Sequence, residues 1–575
     1  MNFKEKYNEW LNSNIIDENT KEELLSINDE KEIEDRFYKD LEFGTGGLRG
    51  VIGAGSNRLN IYTVSKATQG LADYLIEKYT NNTISVAIAY DSRNMSPEFA
   101  ECAALVLCAN NIKVNLFESL RSTPELSFAI RELKCNAGIV LTASHNPKEY
   151  NGYKVYGEDG CQITDEAANI IISKINNVNY TSIKKIKKED AIEENILSII
   201  GEEIDRKYID KLKSYTINKS LIEKYAKDLK IIYTPIHGTG LMPIRRVLTE
   251  LGYENLHIVK EQEVPDGNFP TAPYPNPEDP KVFELALDMA KEINPDIIFG
   301  TDPDADRIGV VIKDSNGLYK ILNGNQIGVL LTHYILEAYK KENKLDKKGA
   351  IIKTIVTTDM VRNICNDYGV QLFDVLTGFK YIGELIGKFE KSNSNSFIFG
   401  FEESFGCLFG EHARDKDAVV TAQMICEMTL YYKSIGLSLY DGFINLCEKY
   451  GYYKEELVSI ELKGKEGQEK ISDLINYFRN NDLLEVDGVK VDTIYDFKFS
   501  KAKSIITGKE EKLTLPQSNV LKYMLSDGSW FVIRPSGTEP KMKIYISVIG
   551  ENLKNSEVKI KKFSSSIMNL INGEL

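Results

Sequence analysis

The chain has 575 residues, of which 42% are hydrophobic and 27% charged, and its formal net charge is −14. This composition is ordinary for a globular protein, and at about 100–200 residues per domain the length predicts about three to five domains. The negative charge argues against binding to nucleic acid or to an anionic membrane surface, and the chain has no apolar run of about eighteen residues that would cross a bilayer.

Two other properties bear on the compartment and the redox chemistry of the protein. The first residues are polar and lack the apolar segment of a signal peptide, so we expect a cytoplasmic protein. The eight cysteines form no Cys-x-x-Cys pair, and we therefore expect free thiols rather than disulfides or a zinc site. These properties leave open whether the protein is a monomer or a homodimer.

A glycine-rich segment, residues 43–50, is the first candidate binding loop along the chain. It contains four glycines and Arg49. It lacks the Gly-Lys-Ser/Thr ending of a P-loop, and no pattern of a preceding strand and a following helix surrounds it. Nucleotide binding is therefore not predicted for this segment.

Three later stretches share one pattern, in which an apolar strand is followed by a helix and then by a second apolar strand that ends in a polar loop. Such strands are typical of α/β units with largely parallel sheets, in which ligands bind beyond the carboxyl ends of the strands. In the first stretch Ser96 is expected to cap a helix that has Pro97 at its first position. The three strand pairs are residues 85–90 and 137–141, residues 229–233 and 296–300, and residues 350–355 and 396–400.

The polar loop of the first stretch, residues 142–147, reads TASHNP and contains Ser144. A short, rigid loop suits a nucleophile, although this one is not the Gly-x-Ser-x-Gly elbow of a hydrolase. Adjacent side chains generally diverge, so a contact between Ser144 and His145 is not expected. Lys154 would be a phosphate ligand if the chain folded back over the loop. A capped turn without chemistry is the alternative interpretation.

The second polar loop places Asp302, Asp304 and Asp306 at alternate positions. On an extended segment alternate side chains point the same way, so three carboxylates face one space. Such a cluster requires a cation, and oxygen ligands select a hard one. A calcium loop needs Gly and Glu where the chain has Arg307 and Lys313, so we expect Mg²⁺. A solvated acidic turn is the alternative interpretation.

The third polar loop consists of Glu402, Glu403 and Ser404. It offers hydrogen-bond acceptors at alternate positions, which suits the hydroxyls of a sugar. Lys416 follows it, between two aspartates in the run RDKD. We interpret this lysine either as a proton carrier or as part of an ion-pair cluster.

About the last hundred residues of the chain differ from the rest, because apolar and polar positions alternate there. This pattern predicts an antiparallel sheet with helices, an α+β domain. Residues 534–541, RPSGTEPK, combine an arginine, two hydroxyls and a glycine that frees the backbone to bind an anion. A plain hairpin turn is the alternative. The predicted domains are residues 1–205, 206–322, 323–450 and 451–575.

These four loops together resemble those of the α-D-phosphohexomutase superfamily, the phosphoglucomutases and phosphomannomutases. In the order of that family, they resemble its phosphoserine loop, metal loop, sugar loop and phosphate loop. The length is most similar to the longer branch, which includes phosphoglucomutases and phosphopentomutases. The resemblance implies a fold of three similar α/β domains with mixed, largely parallel sheets and a C-terminal α+β domain around a central cleft.

The resemblance also implies a role for individual residues. Ser144 would carry the phosphoryl group and would bind Mg²⁺ together with Asp302, Asp304 and Asp306. The substrate-binding residues would be Arg49, Arg307, Thr377, Gly378, Glu402, Ser404, Arg534, Ser536, Gly537 and Thr538.

The general base is the role for which this chain departs from the shorter relatives. Several of those relatives follow the sugar-loop serine with Gly-His, whereas this chain has Phe405 and Gly406. The departure shifts the role towards Lys416, with His145 and Lys154 assisting.

The activity implied by the resemblance is the interconversion of a sugar 1-phosphate and a sugar 6-phosphate, with glucose as the first expectation. A bisphosphorylated intermediate would form, and glucose 1,6-bisphosphate would be the activator. A mutase requires two anion sites, one at Ser144 and one at residues 534–538, whereas a phosphatase requires only the first. Phosphomannomutase and phosphopentomutase are alternatives within the family. A phosphoserine-type phosphatase and a phosphosugar sensor without turnover are more remote.

Overall fold

The computed structural model describes residues 2–44, 46–80, 83–462, 464–536 and 541–574. Within these ranges the chain forms sheets of six, five, four and eight strands. The first three sheets mix parallel and antiparallel pairs, and the fourth is antiparallel, so the predicted fold class is confirmed. No helix in these ranges is both long enough and apolar enough to cross a bilayer.

Three short helices precede the first sheet. Each begins at a side-chain cap, because Asn2, Asp17 and Asp29 accept hydrogen bonds from backbone N–H groups of the first turn. Their apolar faces form a separate cluster around Trp10 and Phe37 against the first domain. These helices are α1 (Phe3–Asn12), α2 (Glu18–Leu25) and α3 (Glu30–Phe37).

The first α/β domain contains a six-stranded sheet. Its elements are β1 (Gly47–Val51), α4 (Ile61–Lys78), β2 (Ser85–Tyr90), α5 (Ser96–Ala109), β3 (Lys113–Phe117), α6 (Thr123–Glu132), β4 (Ala137–Leu141), β5 (Tyr150–Gly157), α7 (Asp165–Asn177), α8 (Lys188–Glu193) and β6 (Leu197–Ile200). The strand order is β1-β5-β4-β2-β3-β6. Part of the glycine-rich segment is thus an edge strand, paired so closely with β5 that a Cβ on Gly47 would lie 1.9 Å from the Tyr153 carbonyl oxygen.

The predicted cap of helix α5 is wrong in one respect. The helix begins at Ser96, and Met95, with a φ of 66°, precedes it without a side-chain cap. The Ser96 hydroxyl instead donates a hydrogen bond of 2.8 Å to Asp91 Oδ1. The buried carboxylate of Asp91, which follows strand β2, therefore takes the hydroxyl that the sequence pattern assigns to the helix.

The second and third domains contain sheets with the orders β11-β10-β9-β7-β8 and β13-β12-β14-β15. The second domain consists of α9 (Glu202–Ser214), α10 (Lys219–Tyr225), β7 (Ile231–Thr234), α11 (Leu241–Glu250), β8 (Leu256–Ile258), α12 (Glu284–Ile293), β9 (Ile297–Thr301), β10 (Ile308–Lys313) and β11 (Tyr319–Leu322). The third consists of α13 (Gly324–Lys341), β12 (Gly349–Thr354), α14 (Met360–Tyr368), β13 (Gln371–Val375), α15 (Phe379–Ser392), β14 (Ser396–Phe401), β15 (Cys407–Phe409), α16 (Ala418–Ser434) and α17 (Leu439–Tyr450).

The three domains share a core of four strands in the same order. The orders are β5-β4-β2-β3, β10-β9-β7-β8 and β15-β14-β12-β13, and in each the first-named strand is antiparallel to its neighbour. The three chemically interesting loops, around Ser144, Asp304 and Glu402, each connect the last parallel strand to this antiparallel strand. Each loop therefore reverses the chain at the same edge of an equivalent sheet, which is the edge predicted for ligand binding.

The C-terminal domain is an antiparallel sheet covered by two helices. Its elements are β16 (Tyr452–Glu461), α18 (Gly464–Asn480), β17 (Glu485–Val486), β18 (Val489–Asp496), β19 (Lys501–Ser504), β20 (Glu510–Lys512), β21 (Leu521–Leu525), β22 (Trp530–Pro535), β23 (Lys541–Gly550) and α19 (Leu553–Glu574). The order of the main sheet is β16-β23-β22-β21-β18-β19-β20, and β17 pairs with β18.

The apolar cores are shared unequally among the domains. One large cluster of buried side chains joins the first three domains, from Ala87 to Tyr450. The main cluster of the C-terminal domain contains residues of that domain alone, from Ile471 to Ile571. A small cluster connects the third and fourth domains. All eight cysteines, which lie within the described ranges, carry free thiols, as predicted.

Candidate active site

Ser144 lies at the reversal between strands β4 and β5 and is only 3% exposed. Its φ of 53° lies in the left-handed region, which is uncommon for a residue with a side chain. A hydrogen bond of 2.8 Å from its N–H to Thr142 Oγ1 supports this conformation. Ser144 Oγ donates to Asp302 Oδ2 at 2.8 Å. The candidate nucleophile thus contacts Asp302, the first of the three clustered aspartates, which belongs to the second domain.

His145 is close to the serine hydroxyl, contrary to the expectation that the two side chains diverge. Its Nδ1 lies 3.1 Å from Ser144 Oγ. The left-handed backbone at Ser144 brings the two side chains to the same side of the loop. Burial and the charges of Arg307 and Arg49 lower the pKa of His145 well below its ordinary value, so the imidazole is neutral.

A buried arginine that the sequence analysis did not identify supports the serine loop. Arg93 Nη2 donates to the Ser144 carbonyl oxygen at 2.6 Å and also to that of Asn146. Arg93 Nη1 donates to the carbonyl oxygens of Pro147 and Tyr150, both at 2.9 Å. One fully buried guanidinium therefore binds four carbonyl groups of the loop and of the first residue of β5. The same guanidinium lies 5.0 Å from the ring centre of Phe269, in the second domain.

The three aspartates form a compact, buried cluster, as the sequence predicts. Asp302, Asp304 and Asp306 are at most 2% exposed, and each offers a carboxylate oxygen within 4.8 Å of the others. Burial and the charges of the other two carboxylates raise the pKa of Asp302 well above its ordinary value. Burial opposes ionisation of Asp304, but the ammonium of Lys154 and the hydroxyl of Thr123 hold the pKa of that carboxyl below its ordinary value.

The carboxylate oxygens of the aspartate cluster suit the binding of a cation. Among the described residues, Asp304 Oδ1 and Asp306 Oδ1 are buried and accept no hydrogen bond. Buried carboxylate oxygens without donors are costly unless a cation binds them, and a set of oxygen ligands suits a hard divalent ion. The cluster is therefore a candidate metal centre, and Ser144 Oγ lies beside it.

Three positively charged side chains surround the serine and the aspartates. Lys154 lies on β5, where the chain has folded back beside the serine loop, and its Nζ lies 2.8 Å from Asp304 Oδ2. Arg307 donates to Glu278 Oε1 at 3.0 Å, and its Nε lies 3.7 Å from Asp306 Oδ1. The exposed Arg49, on β1, reaches Asn146 Oδ1 in the serine loop at 3.4 Å. These cations can offset the charge of a phosphoryl group at Ser144.

Lys416 connects the third domain to the metal loop. Its Nζ lies 3.1 Å from both Asp306 Oδ2 and Asp415 Oδ1. Burial favours the neutral amine, but Asp306, Asp415 and Glu402 outweigh it and hold the pKa of Lys416 above its ordinary value. A Cβ on Gly406 would lie 2.1 Å from Lys416 Cδ. The lysine side chain thus fills the space that a side chain at position 406 would need.

The third loop brings the predicted sugar-binding residues together. Glu402 Oε1 accepts a hydrogen bond of 2.9 Å from the Gly378 N–H, and burial raises the pKa of Glu402 to about 7. The hydroxyl of Thr377, beside Gly378, is buried and has no hydrogen-bond partner among the described residues. Ser404 is partly exposed at the turn of the same loop. The neighbouring Glu403 points away, and its Oε2 lies 3.3 Å from two threonine hydroxyls of the third domain.

The described residues of the fourth loop, Arg534 and Ser536, lie on the C-terminal domain beside Lys543, which is near Glu403 of the third domain. Arg534 is half-buried near the end of β22 and pairs across strands with Lys543, and Ser536 follows the strand. Partial desolvation and the charge of Arg534 lower the pKa of Lys543, whereas the nearby Glu403 opposes this shift. The predicted ligands Gly537 and Thr538 lie outside the described residues. The fourth domain thus adds a group of cations opposite the sugar loop.

Several of these contacts could not be read from the chain because they join different domains. Tyr156, on β5, donates to Asp415 Oδ2 at 2.8 Å and so supports the neighbour of Lys416. Thr123 donates to Asp304 Oδ2 at 2.9 Å. For Arg93 a signal was present, because an arginine that closely follows a buried strand needs polar partners. Lys543 and Glu278 carried no such signal.

Comparison with known proteins agrees with this architecture. The chain matches four family models in succession, described as phosphoglucomutase/phosphomannomutase alpha/beta/alpha domains I, II and III and C-terminal domain, at residues 40–182, 206–317, 323–449 and 474–548. A phosphoglucomutase from Staphylococcus saprophyticus is 36% identical over 545 residues, which cover 95% of this chain and 96% of that protein.

Two solved structures share the fold at low sequence identity. The open form of pp63/parafusin, a phosphoglucomutase from Paramecium, has a TM-score of 0.68 and 18% identity, covering 93% of this chain and 95% of that one. The N-acetylphosphoglucosamine mutase of Aspergillus fumigatus, in complex with GlcNAc-6P and magnesium, has a TM-score of 0.50 and 13% identity, covering 92% and 96%. With the family matches, the chain is an enzyme of the phosphoglucomutase/phosphomannomutase family, within the α-D-phosphohexomutase superfamily.

Proposed function

We propose that the protein is a phosphoglucomutase, which interconverts glucose 1-phosphate and glucose 6-phosphate through a phosphoserine at Ser144. The observation that carries the proposal is the meeting of side chains from the first three domains at one point. Ser144 Oγ lies 2.8 Å from Asp302, and Lys416 of the third domain contacts Asp306. Relatives of similar length that bear the name phosphoglucomutase support glucose as the sugar.

Phosphoryl transfer depends mainly on positioning and on neutralising negative charge. The phosphoryl group would pass from Ser144 Oγ to a sugar hydroxyl, whose proton leaves as the new P–O bond forms. Lys154, Arg307 and Arg49 are placed to offset the charge on the moving group. The serine oxygen would then carry the proton until the other phosphate of the sugar restores the phosphoserine.

The residues that would hold Mg²⁺ are Ser144, Asp302, Asp304 and Asp306. The two carboxylate oxygens without donors, on Asp304 and Asp306, support this assignment. A bound Mg²⁺ would polarise the phosphoryl oxygens and stabilise the charge that develops on them. The A. fumigatus mutase, whose structure contains magnesium, supports the choice of metal.

Proton transfer is assigned to Lys416, with His145 and Lys154 assisting. Aspartates on both sides keep Lys416 charged, so it can donate a proton to an oxygen that leaves phosphorus. His145 is neutral and lies beside Ser144 Oγ, so it can accept one. Lys416, which the sequence analysis favoured as the general base, would then act as the acid, and His145 would act as the base.

A second anion site distinguishes a mutase from a phosphatase. A bisphosphorylated intermediate must turn over in the cleft, so that each phosphate visits both Ser144 and the C-terminal domain. Arg534, Ser536 and Lys543 are the described residues that would hold the phosphate that is not reacting. Gly537 and Thr538 complete the predicted set. Glucose 1,6-bisphosphate is accordingly the proposed activator, while phosphomannomutase and phosphopentomutase are the alternatives.

The substrate assignment is tested by a coupled assay of the purified protein with Mg²⁺. Glucose 1-phosphate, mannose 1-phosphate and ribose 1-phosphate are compared, each with its own bisphosphate. We expect the highest kcat/KM for glucose 1-phosphate and a requirement for glucose 1,6-bisphosphate. A preference for mannose 1-phosphate or ribose 1-phosphate would change the proposed substrate but not the proposal that the protein is a mutase. Release of inorganic phosphate without isomerisation would favour the phosphatase instead.

The Arg534→Ala variant tests the second anion site. Loss of a charge-assisted contact of about 1.5–3 kcal/mol should lower kcat/KM for the monophosphate by about ten- to a hundredfold. The variant should also require more bisphosphate activator and release more inorganic phosphate, because water can compete for the phosphoserine when the intermediate leaves early. Steady-state kinetics with a phosphate-release assay measure both effects.

The matched control for this test is Lys501→Ala, which removes an exposed cation of the same domain that pairs with Glu510. We expect wild-type kinetics from the control. Unchanged kinetics and activator demand in Arg534→Ala would mean that residues 534–541 form only a hairpin turn. The two-site argument for a mutase would then lose its main support.

A further inference from the structure

A lysine of the C-terminal domain enters the apolar contact between the third and fourth domains. Lys522, on β21, is buried, and its Nζ donates to the Ile355 carbonyl oxygen at 2.8 Å. The same Nζ lies 4.5 Å from the ring centre of Trp530. The surrounding cluster consists of Ile355, Val356 and Leu376 from the third domain and Phe497, Val520, Trp530, Val532 and Tyr545 from the fourth.

An ammonium group in such surroundings is unfavourable for stability. Burial lowers the pKa of Lys522 to about 8, even though the charge of Asp359 opposes the shift. A buried cation is generally no more stabilising than an apolar side chain of the same size. A buried ammonium does, however, require a hydrogen-bond acceptor at a defined position, whereas an apolar side chain does not. The carbonyl of Ile355 is that acceptor.

The acceptor belongs to a short segment, residues 354–358, that also contacts Glu403 of the sugar loop. The hydroxyls of Thr354 and Thr357 lie 2.8 Å apart, and each lies 3.3 Å from Glu403 Oε2. The fully buried Lys353 donates to the carbonyl oxygens of both threonines, at 3.3 and 3.1 Å. The segment is therefore fixed by Lys522 on one side and contacts Glu403 on the other.

Glu403 stands between two residues proposed to bind the sugar. Its own side chain points towards the threonines, and its backbone is packed so closely against helix α13 that a Cβ on Gly324 would lie 2.2 Å from the Glu403 carbonyl oxygen. Helix α13 holds the backbone of Glu403 and segment 354–358 holds its side chain, so a shift of the segment would change the position of that side chain between Glu402 and Ser404.

We propose that Lys522 is a positioning residue that docks the C-terminal domain on segment 354–358 and thereby sets the sugar-binding loop through Glu403. The inference rests on the proposed function, because the coupling requires that residues 402–404 bind a sugar phosphate. Coupling of this kind is reciprocal. Binding of the sugar at Glu402 and Ser404 strengthens the docking of the domain that grips the distal phosphate, and docking strengthens the binding of the sugar.

The first test is the Lys522→Met variant, which removes the ammonium and keeps the length of the side chain. We expect a normal circular dichroism spectrum, a rise of about tenfold in KM for the sugar monophosphate, and a small change in kcat. Single-turnover experiments should show faster release of the bisphosphate intermediate. The control is Lys509→Met, an exposed lysine of the same domain that pairs with Glu511, and it should behave as the wild type.

A double-mutant cycle separates this coupling from a general loosening of the protein. Glu403→Gln should also raise KM, and the double variant with Lys522→Met should be little worse than either single variant. Such non-additivity is the mark of two residues that act through one link. A wild-type KM in Lys522→Met would overturn the proposal, and so would additive effects in the cycle.

A binding experiment keeps the proposal testable if Lys522→Met does not fold. In the wild type, glucose 6-phosphate should slow the hydrogen exchange of amides in β21, and Thr357→Val should reduce this protection because it removes one of the two threonine contacts of Glu403. Undiminished protection in Thr357→Val would contradict the coupling. This arm requires only binding, so it can succeed or fail independently of turnover, whereas a wild type that isomerises no sugar phosphate contradicts the proposed function alone.

Discussion

Ser144→Ala is expected to lower mutase turnover by at least about 10⁴-fold, the order of effect seen when a catalytic nucleophile is removed. The Ser144 hydroxyl is the proposed acceptor of the phosphoryl group. It lies 2.8 Å from Asp302 Oδ2, and Ser144 has a left-handed backbone. No other described residue with a hydroxyl combines these two features. The variant should keep the wild-type circular dichroism spectrum, because the loop is held by Arg93 through carbonyl groups that the substitution leaves in place.

Intact-mass measurement provides the direct readout for this variant. The wild type should contain a fraction heavier by one phosphate, which peptide mapping assigns to Ser144, and the variant should lack it. Ser182→Ala is a suitable control, because that serine lies in an exposed turn of the same domain. Near-wild-type activity in Ser144→Ala, or a phosphate on another residue, would end the phosphoserine proposal.

Asp304→Asn is expected to have the second largest effect, through the metal. The substitution removes one of three clustered charges, leaves Lys154 without its closest carboxylate and leaves a cation poorly coordinated. Loss of an outer partner of a metal site typically costs about 10–100-fold, and loss of a direct ligand should exceed that. We therefore expect a fall of more than about a hundredfold in kcat/KM and weaker binding of Mg²⁺ in calorimetric titration.

The control for the metal loop is Asp288→Asn, an exposed aspartate on helix α12 of the same domain. It should leave Mg²⁺ binding and activity unchanged. Activity of the wild type in an excess of chelator would show that the aspartate cluster is not the catalytic metal site. Calorimetry compares the two kinds of ligand: Ser144→Ala removes a neutral hydroxyl and Asp304→Asn removes a charged carboxylate, so the loss of Mg²⁺ binding should be smaller in Ser144→Ala.

The sequence was sufficient to predict the strands and the loops that follow them. Apolar runs such as residues 137–141 and 297–300 lie in buried strands, and polar loops follow them at the predicted edge of each sheet. This succeeds because burial on both faces leaves a run of apolar residues that is visible without knowledge of the fold. The compact aspartate cluster was predicted correctly but for the wrong reason, because residues 302–306 form a turn, with Ala305 at a φ of 52°, and not the extended segment that the prediction assumed.

Other features depend on contacts between distant segments and could not be predicted. The meeting of Ser144 and His145 requires a left-handed backbone that TASHNP does not specify. The prediction that Ser96 caps helix α5 was wrong because its hydroxyl donates to Asp91, which lies outside the helix and follows strand β2. The role of Arg93 depends on four carbonyl groups more than fifty residues away. Local patterns determine which element forms, whereas the partners of a buried polar group are determined by packing.

The unequal division of the apolar cores has a consequence for how the molecule unfolds. Because one cluster runs through the first three domains, none of them can lose its packing without exposing the others, and they should unfold cooperatively. The fourth domain has its own core and shares only a small cluster with the third. We therefore expect the fourth domain to unfold separately from the first three, so that denaturation shows more than one transition. Mild heat or limited proteolysis should then release the C-terminal domain first, while the loops of Ser144, Asp304 and Glu402 stay folded together.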